Sequence, residues 1–160
     1  MGMGRRRFVA GGLAACACAG CPALRALAEA AAGGGGGGGS PVDVGPVEDF
    51  KGDGIYAPRA AGGRFFVVRR GGRLYALSST CTHRQVRVVS KDGGFKCPRH
   101  GSTFSADGKV TKSPARKALP RHAIELDANR HVVVDSSVSF GPDAWDDARA
   151  FVAVTKSSNP

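Results

Sequence analysis

The chain of 160 residues is poor in cysteine and in aromatic side chains, which make up 7% of it. Three of its five cysteines lie within the first 21 residues, so a mature chain without that segment keeps only Cys81 and Cys97. Both belong to one motif, and no cysteine then remains for a separate structural disulfide. The 120 residues from Pro41 to Pro160 suit one compact domain.

Acidic residues are absent from the first 28 positions, where four arginines occur. Gly4 to Val9, G-R-R-R-F-V, is a positively charged region followed by a mildly apolar stretch, the form of a secretory signal. Consecutive arginines before Phe8 are typical of a twin-arginine signal, which exports proteins already folded. The sequence therefore predicts an exported, periplasmic protein, and a basic tail ahead of a disordered Ala-rich arm is the alternative.

Three fates of this N-terminal segment stay open. Ala26-Leu27-Ala28 fits the pattern before a signal-peptidase cut, which we favour and which makes residues 1–28 the signal peptide. A stretch that loosely resembles a lipobox would instead place a lipid on Cys21. Retention of Phe8–Leu27 as a weakly hydrophobic anchor would tie the protein to the membrane. Residues 29–40 contain seven consecutive glycines and are predicted to be a flexible linker.

Helical periodicity is missing from residues 41–140, which predicts an all-β fold. Arg64–Arg70 and Arg73–Leu77 are β-rich runs on either side of Gly71-Gly72, a strong hairpin signal. Four further runs have the composition of strands, the first two of them forming a second hairpin: His122–Asp127, Arg130–Asp135, Val42–Val47 and Gln85–Ser90. Phe95-Lys96 is predicted as a very short strand.

Two short runs place a cysteine close to a histidine. Cys81-Thr82-His83 gives C-x-H and Cys97-Pro98-Arg99-His100 gives C-x-x-H, so each can hold a metal from one tight turn. Two cysteines and two histidines also suit tetrahedral zinc, but zinc fingers normally pair the two cysteines in one half and the two histidines in the other. Mixed halves suit a binuclear iron–sulfur cluster, because each iron then draws one ligand from each run. We favour the cluster, with a structural zinc site as the alternative.

The second run continues as C-P-R-H-G-S-T-F, and with both runs in this order the sequence resembles the Rieske family of [2Fe–2S] proteins. The resemblance implies that Cys81 and Cys97 bind one iron of a [2Fe–2S] cluster and that His83 and His100 bind the other. It also implies small antiparallel sheets with a cluster-binding loop subdomain, within a domain of residues 41–140.

Four positions bear on the reduction potential that the resemblance implies. High-potential Rieske proteins carry two extra cysteines that join the cluster loops, where this chain has Val86 and Arg99. Phe104 stands where that group has a tyrosine whose hydroxyl points at a ligand sulfur. Ser102 is retained and would donate to a bridging sulfide. Because hydrogen bonds to the sulfurs stabilise the reduced cluster, one donor kept and one lost predicts an intermediate potential.

The remaining segments are placed by the same resemblance. Thr80–Phe104 is predicted as a cluster-binding insertion between strands, and Lys112–Pro120 lies where the family has a proline-rich loop that covers the cluster. Residues 141–160 lie beyond the resemblance and form a predicted C-terminal extension that opens on a short helix. We expect Trp145 in this extension to pack on the domain.

The chain is basic, with a formal charge of +10 that falls to +6 when residues 1–28 are removed. A basic rim beside the ligand runs would steer an acidic redox partner, and solvated loop charges are the alternative. The residues of this rim are Arg84, Arg87, Lys96 and Arg99. Nucleic-acid binding is not supported, because the sequence offers no aromatic stacking platform.

These patterns together predict an exported carrier that passes single electrons to or from a larger oxidoreductase or a cytochrome. No nucleophile–base pair, carboxylate pair or phosphate loop indicates a self-contained enzyme. The resemblance further implies that His83 and His100 couple electron gain to proton gain through their outer ring nitrogens. His122 and His131 are predicted to be structural. The alternatives are the Rieske subunit of a quinol-oxidising cytochrome bc-type complex and a non-redox zinc-binding module, with membrane contact only if the N-terminal segment is retained or Cys21 is lipidated.

Overall fold

The computed structural model describes residues 40–154, which form β-strands and three short 3-10 turns. The strands are β1 Val42–Pro46, β2 Gly54–Tyr56, β3 Phe65–Arg70, β4 Arg73–Ser78, β5 Val89–Lys91, β6 Gly94–Lys96, β7 Thr103–Phe104, β8 Val110–Lys112, β9 Arg121–Leu126, β10 His131–Phe140 and β11 Val152–Ala153. The 3-10 turns are Val47–Asp49, Arg59–Ala61 and Pro142–Ala144. The predicted signal peptide, and all of the predicted linker except Ser40, lie outside the described residues.

Two antiparallel sheets organise these strands. The larger has seven strands in the order β1-β10-β9-β4-β3-β2, with β11 paired to β4, and the smaller has four in the order β5-β6-β7-β8. The predicted all-β class is thus confirmed. Within residues 40–154, no helix has the length and apolar character needed to cross a bilayer.

Both predicted hairpins form where the sequence places them. Strands β3 and β4 pair from Phe65–Ser78 to Arg70–Arg73, and β9 pairs with β10. Gly71 and Gly72 have φ of 58° and 77°, the positive values that both central residues of a type I′ turn require. Glycine reaches these angles without the steric cost that a Cβ would add, which is why this dipeptide marks the turn so clearly.

The predicted strand at Gln85–Ser90 is wrong for most of its length. Strand β5 begins only at Val89, and Arg87 makes a single isolated bridge to Thr80. The residues before it are turned back on Cys81 by hydrogen bonds within their own loop, which removes them from any extended ladder. The cluster-binding insertion is also larger than predicted, since its sheet runs on through β8 to Lys112.

Strand β4 is buried on both faces and joins the two halves of the fold. Leu74 and Ala76 belong to a core formed by the larger sheet and the turns packed on it, while Tyr75 and Leu77 belong to a second core shared with the smaller sheet. Alternation of side chains along a strand produces this division. Cys81 and Cys97 lie in the second core, so the ligand runs are anchored in the same apolar layer that binds the two sheets together.

The residues after Phe140 fold back on the larger sheet. Trp145 is buried, as predicted, and packs with Phe140 and Ala150 in a third apolar cluster. The guanidinium of Arg121 lies between two rings, 3.9 Å from the centroid of Tyr75 and 4.5 Å from that of Trp145. Such stacking stabilises a buried arginine that finds few hydrogen-bond partners.

We expect Trp145→Ala to lower the free energy of unfolding by about 3–5 kcal/mol, because it opens a cavity and leaves Arg121 stacked on one face only. Urea denaturation followed by circular dichroism measures the change. Trp145→Phe is the matched control and keeps an aromatic face, so its loss should be about half as large. A loss below about 1 kcal/mol for the alanine variant would mean that the C-terminal segment adds little to the fold.

The imidazole of His131 joins the edge strand β1 to its neighbour β10. Its Nδ1 lies 2.8 Å from Oδ2 of Asp43, and this hydrogen bond raises the pKa of His131 above its ordinary value of 6.5. The stabilisation is therefore complete below pH 6.5 and disappears as the pH rises through the folded-state pKa. A proton NMR titration should show the elevated pKa, and Asp43→Asn should bring it back towards 6.5. An unchanged pKa in that variant would contradict this assignment.

Candidate metal centre

The two ligand runs fold into loops of the same construction. In the first, the Cys81 N–H donates to the Val86 carbonyl at 2.8 Å, and the Gln85 N–H donates to the Cys81 carbonyl at 2.9 Å. In the second, the Cys97 N–H donates to the Ser102 carbonyl at 2.8 Å, and the Gly101 N–H donates to the Cys97 carbonyl at 3.0 Å. The cysteine therefore occupies the first position of each six-residue loop and closes it through both of its backbone groups.

The fifth position of each loop adopts a left-handed backbone. Gln85 has φ of 53° and Gly101 has φ of 75°. This conformation turns the chain sharply, and glycine adopts it freely whereas glutamine does so at some steric cost. His83 and His100 occupy the third and fourth positions of their loops, and both are partly exposed.

The structure places the two predicted histidine ligands side by side and the two predicted cysteine ligands in one buried cluster. Cys81 and Cys97 are fully buried, with 0% of their surface exposed, and neither forms a disulfide. The rings of His83 and His100 lie edge to face with centroids 4.9 Å apart, and both remain partly exposed. The cysteines thus form the inner part of the site and the histidines the outer part.

The Nδ1 atoms of His83 and His100 are buried and have no hydrogen-bond partner among the described residues. A buried polar atom without a partner costs free energy, so such atoms call for an explanation. A metal bound at Nδ1 supplies one, because the neutral imidazole nitrogen is a ligand for iron. Two such nitrogens beside two buried, unpaired thiols fit the donor set of a [2Fe–2S] cluster with mixed ligands.

No three His, Cys, Asp or Glu side chains in residues 40–154 are grouped to hold a single metal ion. Four ligands divided between two irons do not have to meet around one point. His122 also has a buried Nδ1 without a partner, but its ring packs 6.1 Å from Phe65 on the larger sheet. His131 pairs with Asp43 instead, so neither histidine joins the site.

A third loop, residues 113–120, binds to both ligand loops. The Ala115 N–H donates to Oγ of Ser102 at 3.0 Å, and Oγ1 of Thr82 donates to the Lys117 carbonyl at 2.5 Å. Ala115 and Leu119 are buried in the core that contains both cysteines. This is the segment predicted to cover the cluster. The part played by Thr82 and Ala115 was missed, because neither residue type signals a contact across 35 or 13 positions.

Positive charge surrounds the histidines. The pKa of His100 lies below its ordinary value of 6.5, because desolvation penalises the charged ring and because His83, Arg84 and Arg99 add positive charge nearby. Arg84, Arg87, Lys96 and Arg99, the four cations predicted at this rim, are all exposed.

The structure locates the three positions at which the sequence departs from high-potential Rieske proteins. Phe104 is buried in β7, opposite Phe95 of β6. Val86 is partly buried and closes the first loop with its carbonyl, whereas Arg99 is exposed in the second. With no second pair of cysteines in residues 40–154, non-covalent contacts hold the two loops in place.

This chain is similar to a known protein family and to several known proteins. The family model described as "Rieske [2Fe-2S] domain" matches residues 40–123. An iron–sulfur subunit of the cytochrome b6-f complex from Cyanophora paradoxa is 32% identical over 117 residues, which is 71% of this chain and 42% of that protein. The corresponding subunit from Synechococcus sp. JA-3-3Ab is 34% identical over 95 residues, or 57% of this chain and 54% of its own length.

One further relative is named as an enzyme and not as an iron–sulfur subunit. The carotenoid phi-ring synthase of Chlorobaculum tepidum is 34% identical over 84 residues, which is 51% of this chain and only 13% of that enzyme. Among solved structures, the plasma membrane Rieske protein PetC3 of Synechocystis PCC 6803 is 36% identical, with a TM-score of 0.47 and coverage of 59% of this chain and 99% of that one. The chain thus spans roughly a tenth to a half of the curated relatives named here.

The family match covers more than half of the chain and contains both ligand loops. It confirms the predicted family and, with it, the predicted [2Fe–2S] cofactor, which Rieske domains bind through mixed cysteine and histidine ligands. The third loop lies within the same matched range, so the whole ligand-bearing end of the fold is included. The chain belongs to the Rieske [2Fe–2S] domain family.

Proposed function

We propose that this protein is a one-electron carrier in which Cys81 and Cys97 hold one iron of the cluster and His83 and His100 hold the other. The observation that carries the assignment is the pair of buried Nδ1 atoms without partners, together with two buried cysteines that form no disulfide. When bound, a [2Fe–2S] cluster supplies reversible one-electron oxidation and reduction.

The histidines would connect the site to its surroundings. Nδ1 of each ring is buried while the ring as a whole remains partly exposed, so the opposite edge of each imidazole faces outward. That edge holds the second ring nitrogen, which can release a proton when an electron leaves and take one up when an electron arrives. Electron and proton would therefore enter through the same two side chains.

Ser102 is placed to tune the potential. Its hydroxyl is fully buried and its oxygen already accepts the Ala115 N–H, which leaves its own hydrogen to be donated elsewhere. A donor to a bridging sulfide would stabilise the reduced, more negative form. Phe104, with no hydroxyl, adds no second donor, and we propose an intermediate reduction potential for this reason.

We further propose that the protein is exported and works with a larger oxidoreductase or a cytochrome. Arg5, Arg6 and Arg7 before Phe8 support a twin-arginine signal of residues 1–28, followed by a linker of residues 29–40. Export in a folded state suits a protein whose cluster is inserted before translocation. Residues 41–140 would form the Rieske domain and residues 141–160 an extension, of which the part up to Val154 packs on the larger sheet.

A second candidate is the Rieske subunit of a quinol-oxidising complex. The observation in its favour is that several relatives are named as iron–sulfur subunits of cytochrome b6-f complexes. Val86, Arg99 and Phe104 count against it, because they remove the cross-link and the second hydrogen-bond donor of high-potential Rieske proteins. A redox titration of the cluster-loaded protein across pH separates the two: a high, pH-dependent midpoint favours quinol chemistry, and a low, nearly pH-independent one excludes it.

We expect His83→Gln and His100→Gln each to abolish the Rieske-type electron paramagnetic resonance signal of the reduced protein, because one iron then lacks a nitrogen ligand. His122→Gln is the matched control, since that histidine also has a buried Nδ1 without a partner but lies on the larger sheet. It should keep the signal. An unchanged signal in either ligand variant would contradict the assignment, and a colourless protein with bound zinc would overturn the electron-transfer function.

We expect Ser102→Ala to lower the midpoint potential by about 60 mV, because a hydrogen bond of about 1.4 kcal/mol to the reduced form corresponds to that shift for one electron. Protein-film voltammetry measures it. Ser105→Ala is the control, because its hydroxyl oxygen accepts the Lys109 N–H in a turn away from the ligands and should leave the potential unchanged. Equal midpoints for Ser102→Ala and the parent would show that this hydroxyl does not reach the cluster.

A further inference from the structure

Charge is distributed unevenly along the described chain. Residues 79–120, which contain the three loops and the smaller sheet, carry nine Lys or Arg and two Asp. The remaining residues between 40 and 154 carry nine Lys or Arg and ten Asp or Glu. Residues 79–120 therefore carry a formal net charge of +7, while the rest of the described chain carries −1.

Four of these cations lie on the three loops themselves, and we call them the basic tip: Arg84, Arg99, Arg116 and Lys117. All four are exposed, and none takes part in an ion pair within residues 40–154. The two acidic residues within 79–120 lie elsewhere. Asp92 is in the β5–β6 turn, and Asp107 is bonded to Tyr75 at 3.0 Å.

The basic tip is linked to the two histidines by sequence and by one loop contact. Arg84 directly follows His83 and Arg99 directly precedes His100. Lys117 is held beside the first loop by the bond from Thr82 to its carbonyl, and Arg116 precedes it. Two of the cations are thus sequence neighbours of the histidines, and the other two lie on the loop that is bonded to the first ligand loop.

Balancing the charge of the cofactor does not account for these cations. Two ferric ions, two sulfides and two thiolates sum to no net charge, and reduction by one electron adds about one negative charge. Four exposed cations exceed that need. None of the four has a counter-charge within the described residues, so their positive potential is available to an external negative group.

An anionic membrane surface is one external source of negative charge, but the exposed surface does not suit it. Interfacial binding combines basic residues with exposed large apolar side chains. Among the described residues, the exposed large apolar side chain is Val89, on β5 rather than on the three loops. An acidic protein surface does not require exposed apolar side chains on this protein and can contact the basic residues through charge alone.

We propose that the basic tip docks the acidic face of a protein redox partner, over the exposed edges of His83 and His100. This inference rests on the proposed electron-transfer function and specifies the partner for it. Complementary charge at this place would speed the encounter and hold the partner's redox centre against the histidines.

The test uses the full-length, cluster-loaded protein and a fluorescently labelled peptide of ten glutamates as the acidic probe. At low salt, fluorescence anisotropy should show binding that weakens by about tenfold or more at physiological ionic strength. The paired substitution Arg116→Gln/Lys117→Gln should weaken it by about tenfold at low salt, as should Arg84→Gln/Arg99→Gln. A peptide of ten lysines should not bind.

The matched control is Lys51→Gln/Arg59→Gln, which removes the same charge from two exposed cations outside residues 79–120. It should change the affinity by less than about twofold. Equal losses in the control and the tip variants would overturn the proposal, since net charge and not the tip would then govern binding. Tip-dependent binding to vesicles of phosphatidylcholine and phosphatidylglycerol, without binding to the glutamate peptide, would overturn it in favour of a membrane surface.

Failure of this inference can be told apart from failure of the proposed function. The electron paramagnetic resonance signal of each variant reports whether the cluster is intact, independently of peptide binding. An intact signal with no tip-dependent binding would reject the docking surface alone. Loss of the signal in the parent protein would reject the electron-transfer function itself.

Discussion

Closure of each ligand loop by its own cysteine is the interaction on which the site depends. The N–H and the carbonyl of Cys81 and of Cys97 both bond within the loop, so each cysteine is fixed in the buried core before any metal is considered. The third and fourth positions are then directed outward, which is where the histidines stand. This one backbone pattern, repeated twice, is accompanied by two fully buried cysteines and two partly exposed histidines.

The absence of a second cysteine pair makes the third loop important. A disulfide between the ligand loops would hold them covalently, whereas here Thr82 and Ser102 each bond to the backbone of residues 113–120. Ala115 and Leu119 add apolar contacts in the same core. Each such hydrogen bond contributes about 1 kcal/mol, and a bound metal cofactor would add a further cross-link between the loops.

The sequence predicted those parts of the molecule that depend on local signals. The Gly71-Gly72 turn requires particular residues at particular positions, and it was placed correctly. The Cys/His runs supported the family that the comparison confirms. Strands β7, β8 and β11 have two or three residues each, and short runs carry no periodicity that could reveal them. Gln85–Ser90 has strand composition, but the closure of the first loop outweighs that weak preference. The contact from Thr82 to Lys117 depends on tertiary structure alone.

Strand β4 connects the core of the larger sheet to the core that contains both cysteines. Its side chains alternate between two cores, so Tyr75 and Leu77 press against the layer that contains both cysteines while Leu74 and Ala76 fill the core of the larger sheet. A substitution in either core would displace the same strand, because close-packed interiors transmit small displacements. The described residues outside 79–120 are nearly neutral in charge, so β4 joins a nearly neutral part of the fold to a strongly positive one.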